Sequence, residues 1–253
     1  MNRRVVITGL GTISGAGDNA DQLWYNIRHG ITAITEYPLA VEKEVQFTKA
    51  AFIQDFNPTD RLNERQARLF DRSTQYALIA ANEAIAHSGI IINNDTAHEM
   101  GVVTGTSIGG QDAQDRGFHN LYALNKKRIH PMTVPWIMPN AGACQINMEH
   151  GIKGPTFTTS TACSSSNHAI GQAFWLIKQG LIHTCVTGGH ETPLSYGFMK
   201  AWEGLRVVST DTCRPFSADR SGLILGEGAG MIVLEEMDRA INRGATIYAE
   251  IIG

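Results

Sequence analysis

The chain has 253 residues, of which 43% are hydrophobic and 18% charged, with a formal net charge of −3. That length supports a substantial core, that composition excludes a disordered chain, and that charge excludes a generally basic nucleic-acid binder. No apolar run approaches the roughly 18 residues of a membrane span, and MNRRVVITG lacks the apolar stretch of a signal peptide, so the expectation is a cytoplasmic protein with no nucleic-acid or membrane partner.

Strand-like and helix-like segments alternate. Arg4 to Thr8 is a β-branched run that predicts a buried strand, and Asp18 to Arg28 a helix stopped by Gly30. Gln46 to Phe52 reads as a short strand and Asn63 to His87 as one long helix ending near Gly89. Gly101 to Thr104 is a strand; Trp136 to Glu149 is a helix whose first turn Pro139 disturbs. Thr156 to Ser160, Ser164 to Gln179 and Thr184 to Thr187 follow as strand, helix and strand. Leu223 to Leu225 and Met231 to Leu234 suggest paired strands around a glycine-rich turn, before a helix over Glu235 to Arg243 and a strand over Ile247 to Ile252. The alternation predicts an α/β fold with helices on the faces of a mixed sheet. Charged residues normally make up about 25% of a soluble domain. The shortfall predicts that a large face is covered by a partner surface.

Gly9-Leu-Gly11-Thr-Ile-Ser-Gly15 imitates a dinucleotide fingerprint, but its spacing is GxGxxxG and no acidic residue closes a second strand, so it reads as a tight strand-to-helix turn. The four cysteines, Cys144, Cys163, Cys185 and Cys213, form no CxxC pair, and no HExxH occurs, so no metal site is expected. Cys163 stands apart. It lies in Ser160-Thr-Ala-Cys-Ser-Ser-Ser166, between a predicted strand and a predicted helix. A helix N-terminus offers partial positive charge and free N–H groups to a thiolate, and a sharp turn pushes the side chain outward. Among nine histidines, His168 points off the nucleophile's side of its helix, and His190 is the best placed by loop position. Arg61, Arg65, Arg68 and Arg72 are spaced by 4, 3 and 4, which predicts one basic helix face; Lys126-Lys127-Arg128 forms a second cluster. Either could dock an acidic partner or be a solvated surface.

Together these segments resemble the β-ketoacyl-[acyl carrier protein] synthases of the thiolase-like superfamily, in the synthase II and polyketide ketosynthase branch. The resemblance rests on Arg4-Val-Val-Ile-Thr-Gly-Leu-Gly11, Gly105-Thr-Ser-Ile-Gly-Gly110, Met138-Pro-Asn140, Gly154-Pro155, Thr161-Ala-Cys-Ser164, Gly188-Gly189 with Glu191, Pro215-Phe216 with Asp219-Arg220, Gly226-Glu-Gly-Ala-Gly230 and Tyr248-Ala-Glu250. It implies a layered αβαβα fold, here its N-terminal half, with a mixed five-stranded sheet between helices over residues 1–253. It implies Cys163 as the acyl-accepting nucleophile, Ile108 and Phe198 as acyl-pocket residues, and Arg65, Arg68, Lys126, Lys127 and Arg128 as a docking surface for acyl carrier protein. No cofactor is implied, since substrates arrive on the carrier's phosphopantetheine. Partners implied are the carrier and a second subunit, in a homodimer or ketosynthase heterodimer, joined across Thr156 to Ser160.

The family's C-terminal half, with two histidines, a lysine and a glycine-rich oxyanion loop, has no counterpart in this sequence, so the chain alone is expected to lack condensing activity. Leu223 stands where Phe is common, and Trp202 where a basic residue often helps carrier docking. Two other readings stay open: a non-catalytic ketosynthase-like partner subunit, against which Cys163 argues, and a cysteine thioesterase using Cys163 with His190.

Overall fold

The structure, a computed structural model, describes residues 3–253. The chain runs through β1 (Val5–Ser14), α1 (Ala20–Arg28), β2 (Ile34–Glu36), α2 (Pro38–Glu42), β3 (Lys49–Ala51), α3 (Glu64–Leu69) and α4 (Arg72–Ser88). It continues through β4 (Met100–Gly105), α5 (Gln111–Tyr122), α6 (Thr133–Ile137), α7 (Ala141–His150), β5 (Thr156–Thr159), α8 (Ser165–Lys178) and β6 (Thr184–Glu191). It closes with α9 (Tyr196–Leu205), β7 (Gly228–Glu236), α10 (Met237–Asn242) and β8 (Ala249–Glu250).

The class is α/β, as expected. The main sheet has the order β5-β4-β6-β7-β1-β8, with β2 and β3 as a separate antiparallel pair. It carries six strands where five were expected, because the two-residue β8 pairs with Val6 and Ile7 of β1. β5, β4 and β6 are mutually parallel, so helices must cross between them: α5 to α7 from β4 to β5, and α8 from β5 to β6. β7 runs antiparallel between β6 and β1.

Each face of the sheet buries its own core. Val102, Val186, Met231 and Val233 meet Tyr76, Ala77, Ala80 and Ala84 of α4 and Ala143 and Ile146 of α7. Val103, Cys185 and Leu234 meet Ala169, Ala173 and Ile177 of α8. A fully buried aliphatic side chain contributes about 1.5–3 kcal/mol, so Ile146 and Ile177 pin their helices firmly. A third cluster joins Val45, Phe47 and Ala50 near β3 to Leu194, Met199 of α9 and Leu225.

Several predicted elements differ in extent, for identifiable reasons. The helix over Asn63 to His87 breaks at Phe70, which is extended; Asp71 then starts α4 by accepting the N–H groups of Ser73 and Thr74. The four arginines therefore share no helix face: Arg61 precedes α3, Arg65 and Arg68 lie on it, and Arg72 opens α4. The helix over Trp136 to Glu149 splits into α6 and α7 around Met138 to Asn140. The glycine-rich turn is no hairpin. Gly228 to Glu236 is one strand, while Leu223 bridges to Val208 and the Leu225 carbonyl accepts Ala51 N–H. Glu235 and Glu236 belong to β7, and Glu236 caps α10.

The Gly9 turn is also overturned, because β1 runs straight through it. Added Cβ atoms at Gly9 and Gly11 would stand 2.2 and 2.1 Å from backbone oxygens of α4, so these glycines let helix and strand touch. No helix among the described residues is long and apolar enough to cross a membrane.

Candidate active site

Cys163 is exposed on the turn between β5 and α8. The turn is short because its hydroxyls satisfy its backbone. Ser165 Oγ donates to the Ala162 carbonyl at 2.6 Å and accepts Thr161 N–H at 2.9 Å; Thr159 Oγ1 donates to the Ser165 carbonyl at 2.8 Å. Ala162 is held at φ +55°, in the left-handed region that side-chain-bearing residues avoid at a cost of about 1–3 kcal/mol. That twist sets Cys163 immediately before Ser164, the N-cap of α8.

The first turn of α8 rests directly on the sheet. A Cβ at Gly105, the last residue of β4, would come within 2.3 Å of the Ser165 carbonyl carbon, and one at Gly189 of β6 within 2.8 Å of Ser166 Cβ. The loop after β4 is fixed from β6. Glu191 accepts Ser107 N–H at 2.5 Å and Thr106 Oγ1 at 3.2 Å, while Thr106 Oγ1 accepts Gly109 N–H at 3.1 Å. Burial raises the Glu191 carboxyl above its ordinary value, and the loop's backbone N–H groups oppose that rise. Ser160 Oγ donates to the Ser107 carbonyl at 3.0 Å and closes the loop onto the Cys163 turn.

These segments frame a cleft of about 700 Å³ whose lining includes Cys163, Ile108 and Phe198, so the structure brings together the three residues that the sequence had only strung along the chain. Its lining also takes in Leu223, Ile224, Leu225 and the Gly226-Glu-Gly-Ala-Gly230 segment, which runs into β7. Glu227 anchors that segment. Its carboxylate accepts both Arg72 Nε and Nη2, at 3.0 and 2.7 Å, as well as Tyr76 Oη and Ile53 N–H. Burial and the Glu227 charge push the Tyr76 phenol well up. The Glu227 carboxylate is buried, whereas the Arg72 side chain keeps one side open to solvent. Arg72 is thus a structural tie and no part of a docking stripe. The roles of Glu191 and Glu227 escaped the sequence reading, although both stand inside motifs it had marked.

His190 is not a loop residue; it lies in β6. Side chains alternate along a strand. Gly189 faces α8, so His190 faces α4 and α7. Ser73 Oγ bonds its Nδ1 at 2.7 Å, and a Cβ on Gly142 of α7 would sit 2.5 Å from its Nε2. Burial drives its pKa down to about 4. His190 borders the cleft, yet both ring nitrogens point to the sheet face opposite α8. His168 is exposed and lines a separate surface hollow with Ser164 and Trp175.

Arg65, Arg68, Lys126, Lys127 and Arg128 are all exposed. Arg68 shares a polar cavity of about 470 Å³ with Arg116 and Asn120 of α5, and the lysine pair follows the end of that helix. Trp202 is half-buried against Phe198 rather than presented at the surface.

Residues 2–240 match the family model described as Beta-ketoacyl synthase, N-terminal domain. The chain belongs to the β-ketoacyl synthase family. It is 40% identical over 255 residues to Nodulation protein E of Rhizobium meliloti (strain 1021), covering 100% of this chain and 63% of the relative. It is 35% identical over 258 residues to 3-oxoacyl-[acyl-carrier-protein] synthase 2 of Staphylococcus aureus (strain N315), again over 100% of this chain and 62% of the relative. The solved ishigamide ketosynthase/chain length factor superposes with a TM-score of 0.92 at 26% identity, over 100% of this chain and 63% of that one. The fold is therefore the thiolase-like ketosynthase fold, and the chain spans somewhat under two thirds of the length of the relatives it matches.

Proposed function

We propose that this β-ketoacyl synthase chain accepts an acyl group on Cys163 for decarboxylative condensation with malonyl-[acyl carrier protein], in fatty acid or polyketide synthesis. The observation that carries the reading is the exposed Cys163 thiol, held on a strained turn at a helix N-terminus and opening into a cleft that also includes Ile108 and Phe198. Cys163 Sγ attacks the thioester carbonyl of an acyl group on phosphopantetheine. The carrier's thiol leaves with the proton, and backbone N–H groups at the turn, Cys163's own among them, hold the oxyanion. Ile108 and Phe198 line the path of the acyl chain. Malonyl-carrier then loses carbon dioxide, its enolate carbon attacks the Cys163 thioester, and the 3-ketoacyl product departs on the carrier as the thiolate is restored. In this reading residues 1–253 form the acyl-accepting domain, and a second domain supplies the groups for decarboxylation.

The exposed basic residues Arg65, Arg68, Lys126, Lys127 and Arg128 would meet the acidic carrier. A second subunit, identical or a ketosynthase partner, would pair along β5, which among the described residues is bonded only to β4. A cytoplasmic location accords with this chemistry. The hydrolase reading loses support, because a base for Cys163 must face α8 and His190 faces away. Incubation with acyl-carrier followed by intact-protein mass measurement tests the nucleophile: wild type should gain the acyl mass and Cys163→Ala should not. Equal labelling of the two proteins would reject the assignment.

A further inference from the structure

Two buried glutamates, Glu227 and Glu235, are matched by arginines, Arg72 and Arg243. Glu191 is half-buried and makes no ion pair among the described residues; its bonds run to Ser107 N–H and the Thr106 hydroxyl. A carboxylate withdrawn from water without a cation is costly unless N–H and O–H groups hold it. Here those groups come from one short loop, Thr106 to Gly110, and the sheet register explains the meeting. β4 and β6 run parallel with Gly105 opposite Gly189, so two residues further on Ser107 comes opposite Glu191. The loop is held on both sides of Ile108. Ser107 N–H reaches Glu191 directly, and Gly109 N–H reaches it through Thr106 Oγ1, which accepts the one and donates to the other. The Ser107 carbonyl is taken in turn by Ser160 Oγ, three residues before Cys163. Glu191, Ile108 and Cys163 all border the same cleft.

We propose that Glu191 is a positioning residue of the acyl pocket: through the backbone of Ser107 and Gly109 it fixes Ile108 relative to Cys163, and so sets which acyl chain length the thiol accepts. The proposal rests on the acyl-transfer reading and names what sets its specificity. Ser160 ties the loop to the nucleophile turn, so a chain bonded at Cys163 Sγ meets Ile108 after a set number of carbons. A fitted apolar pocket separates chains that differ by one methylene by about tenfold or more, whereas a pocket with a movable side adapts to each chain and loses that discrimination.

The test uses N-acetylcysteamine thioesters of the even-numbered saturated acids from butanoate to dodecanoate. In each case Cys163 Sγ takes the acyl carbon, N-acetylcysteamine leaves as its thiol, and the initial rate is read from intact-protein mass. Comparing chains within one protein cancels differences in folded fraction and in thiolate content. Wild-type rates should peak at one length, about tenfold above the neighbouring chains. Glu191→Ala, which leaves Ser107 N–H without its acceptor, should flatten the peak, and Glu191→Gln, which keeps an oxygen for that N–H, should retain it. Ile108→Ala should flatten it as well, and adding Glu191→Ala to Ile108→Ala should change the profile no further, because the two residues act through one contact. A wild type without a preferred length overturns the proposal and leaves acyl transfer standing. So does a peak that survives in Glu191→Ala or is lost in Glu191→Gln, and so does a double variant whose profile departs from that of Ile108→Ala. Absence of acylation with every thioester overturns both.

Discussion

His190 illustrates how much one side chain's direction decides. Its imidazole is buried and neutral, with a pKa of about 4 against 6.5 for a free histidine. The unfolded chain takes up the proton below about pH 6.5, and the folded protein only below about pH 4. The stability tied to a neutral His190 is therefore complete above pH 6.5 and is lost as pH falls through that window, to a limit of about 3 kcal/mol. Urea unfolding at a series of pH values should show this slope in the wild type and a flatter one in His190→Asn. Equal slopes would mean that the imidazole is not held neutral. The sequence placed this histidine on a loop because the β-branched run stops at Thr187; glycines at 188 and 189 hid four more residues of strand. Once the strand extends to Glu191, period-two alternation alone puts His190 and Gly189 on opposite faces. Cys163 needed no such correction, since its strand, turn and helix are all short-range features of composition. Ile108 and Phe198 were another matter. Their meeting with Cys163 depends on the β4-β6 register, which no local pattern reveals.

At the scale of elements, the seat of α8 on the sheet is the controlling contact. A methyl group at Gly105 would overlap the carbonyl of Ser165, and the neighbour there is backbone, which cannot swing aside. Gly105→Ala should destabilise the protein by about 1–3 kcal/mol and slow acylation of Cys163, because the helix start must lift away from the β5 turn. An unchanged urea midpoint with unchanged acylation would show that α8 gives way freely. The strands and helices around this contact were readable from periodicity. Their breaks were read less well. Phe70-Asp71 interrupts a continuous apolar pattern, and what ends the helix is a capping carboxylate three residues before Thr74, a signal that the run of Ala and Leu on either side outweighs. Leu223 to Leu225 and Met231 to Leu234 looked like a hairpin because both are apolar around glycines. In the fold the first segment bonds to the Ala51 and Val208 regions, and only the second enters the sheet.

At the scale of the whole molecule, charge is sparse and its placement is uneven. Arg65 and Arg68 are exposed on α3, while Arg72 is withdrawn into its pair with Glu227. If the carrier docks here, Arg65→Glu combined with Arg68→Glu should weaken carrier binding by about tenfold, and the wild-type affinity should fall as salt is raised. Calorimetric titration with acyl carrier protein reads both effects; an unchanged dissociation constant would move the docking face elsewhere.

The position of β7 has a consequence for how the molecule is made. β1 comes first among the described strands, yet both of its sheet neighbours, β7 and β8, follow β4, β5 and β6 in the sequence. While β4, α8 and β6 assemble, β1 has no strand edge to join: α4 can cover one of its faces, but its backbone groups stay unpaired with the rest of the sheet until residues 228–236 bridge it to β6. Closure of the sheet through β7 is thus a long-range event, and until it happens an apolar strand stays unpaired, a state in which chaperones bind and aggregation begins.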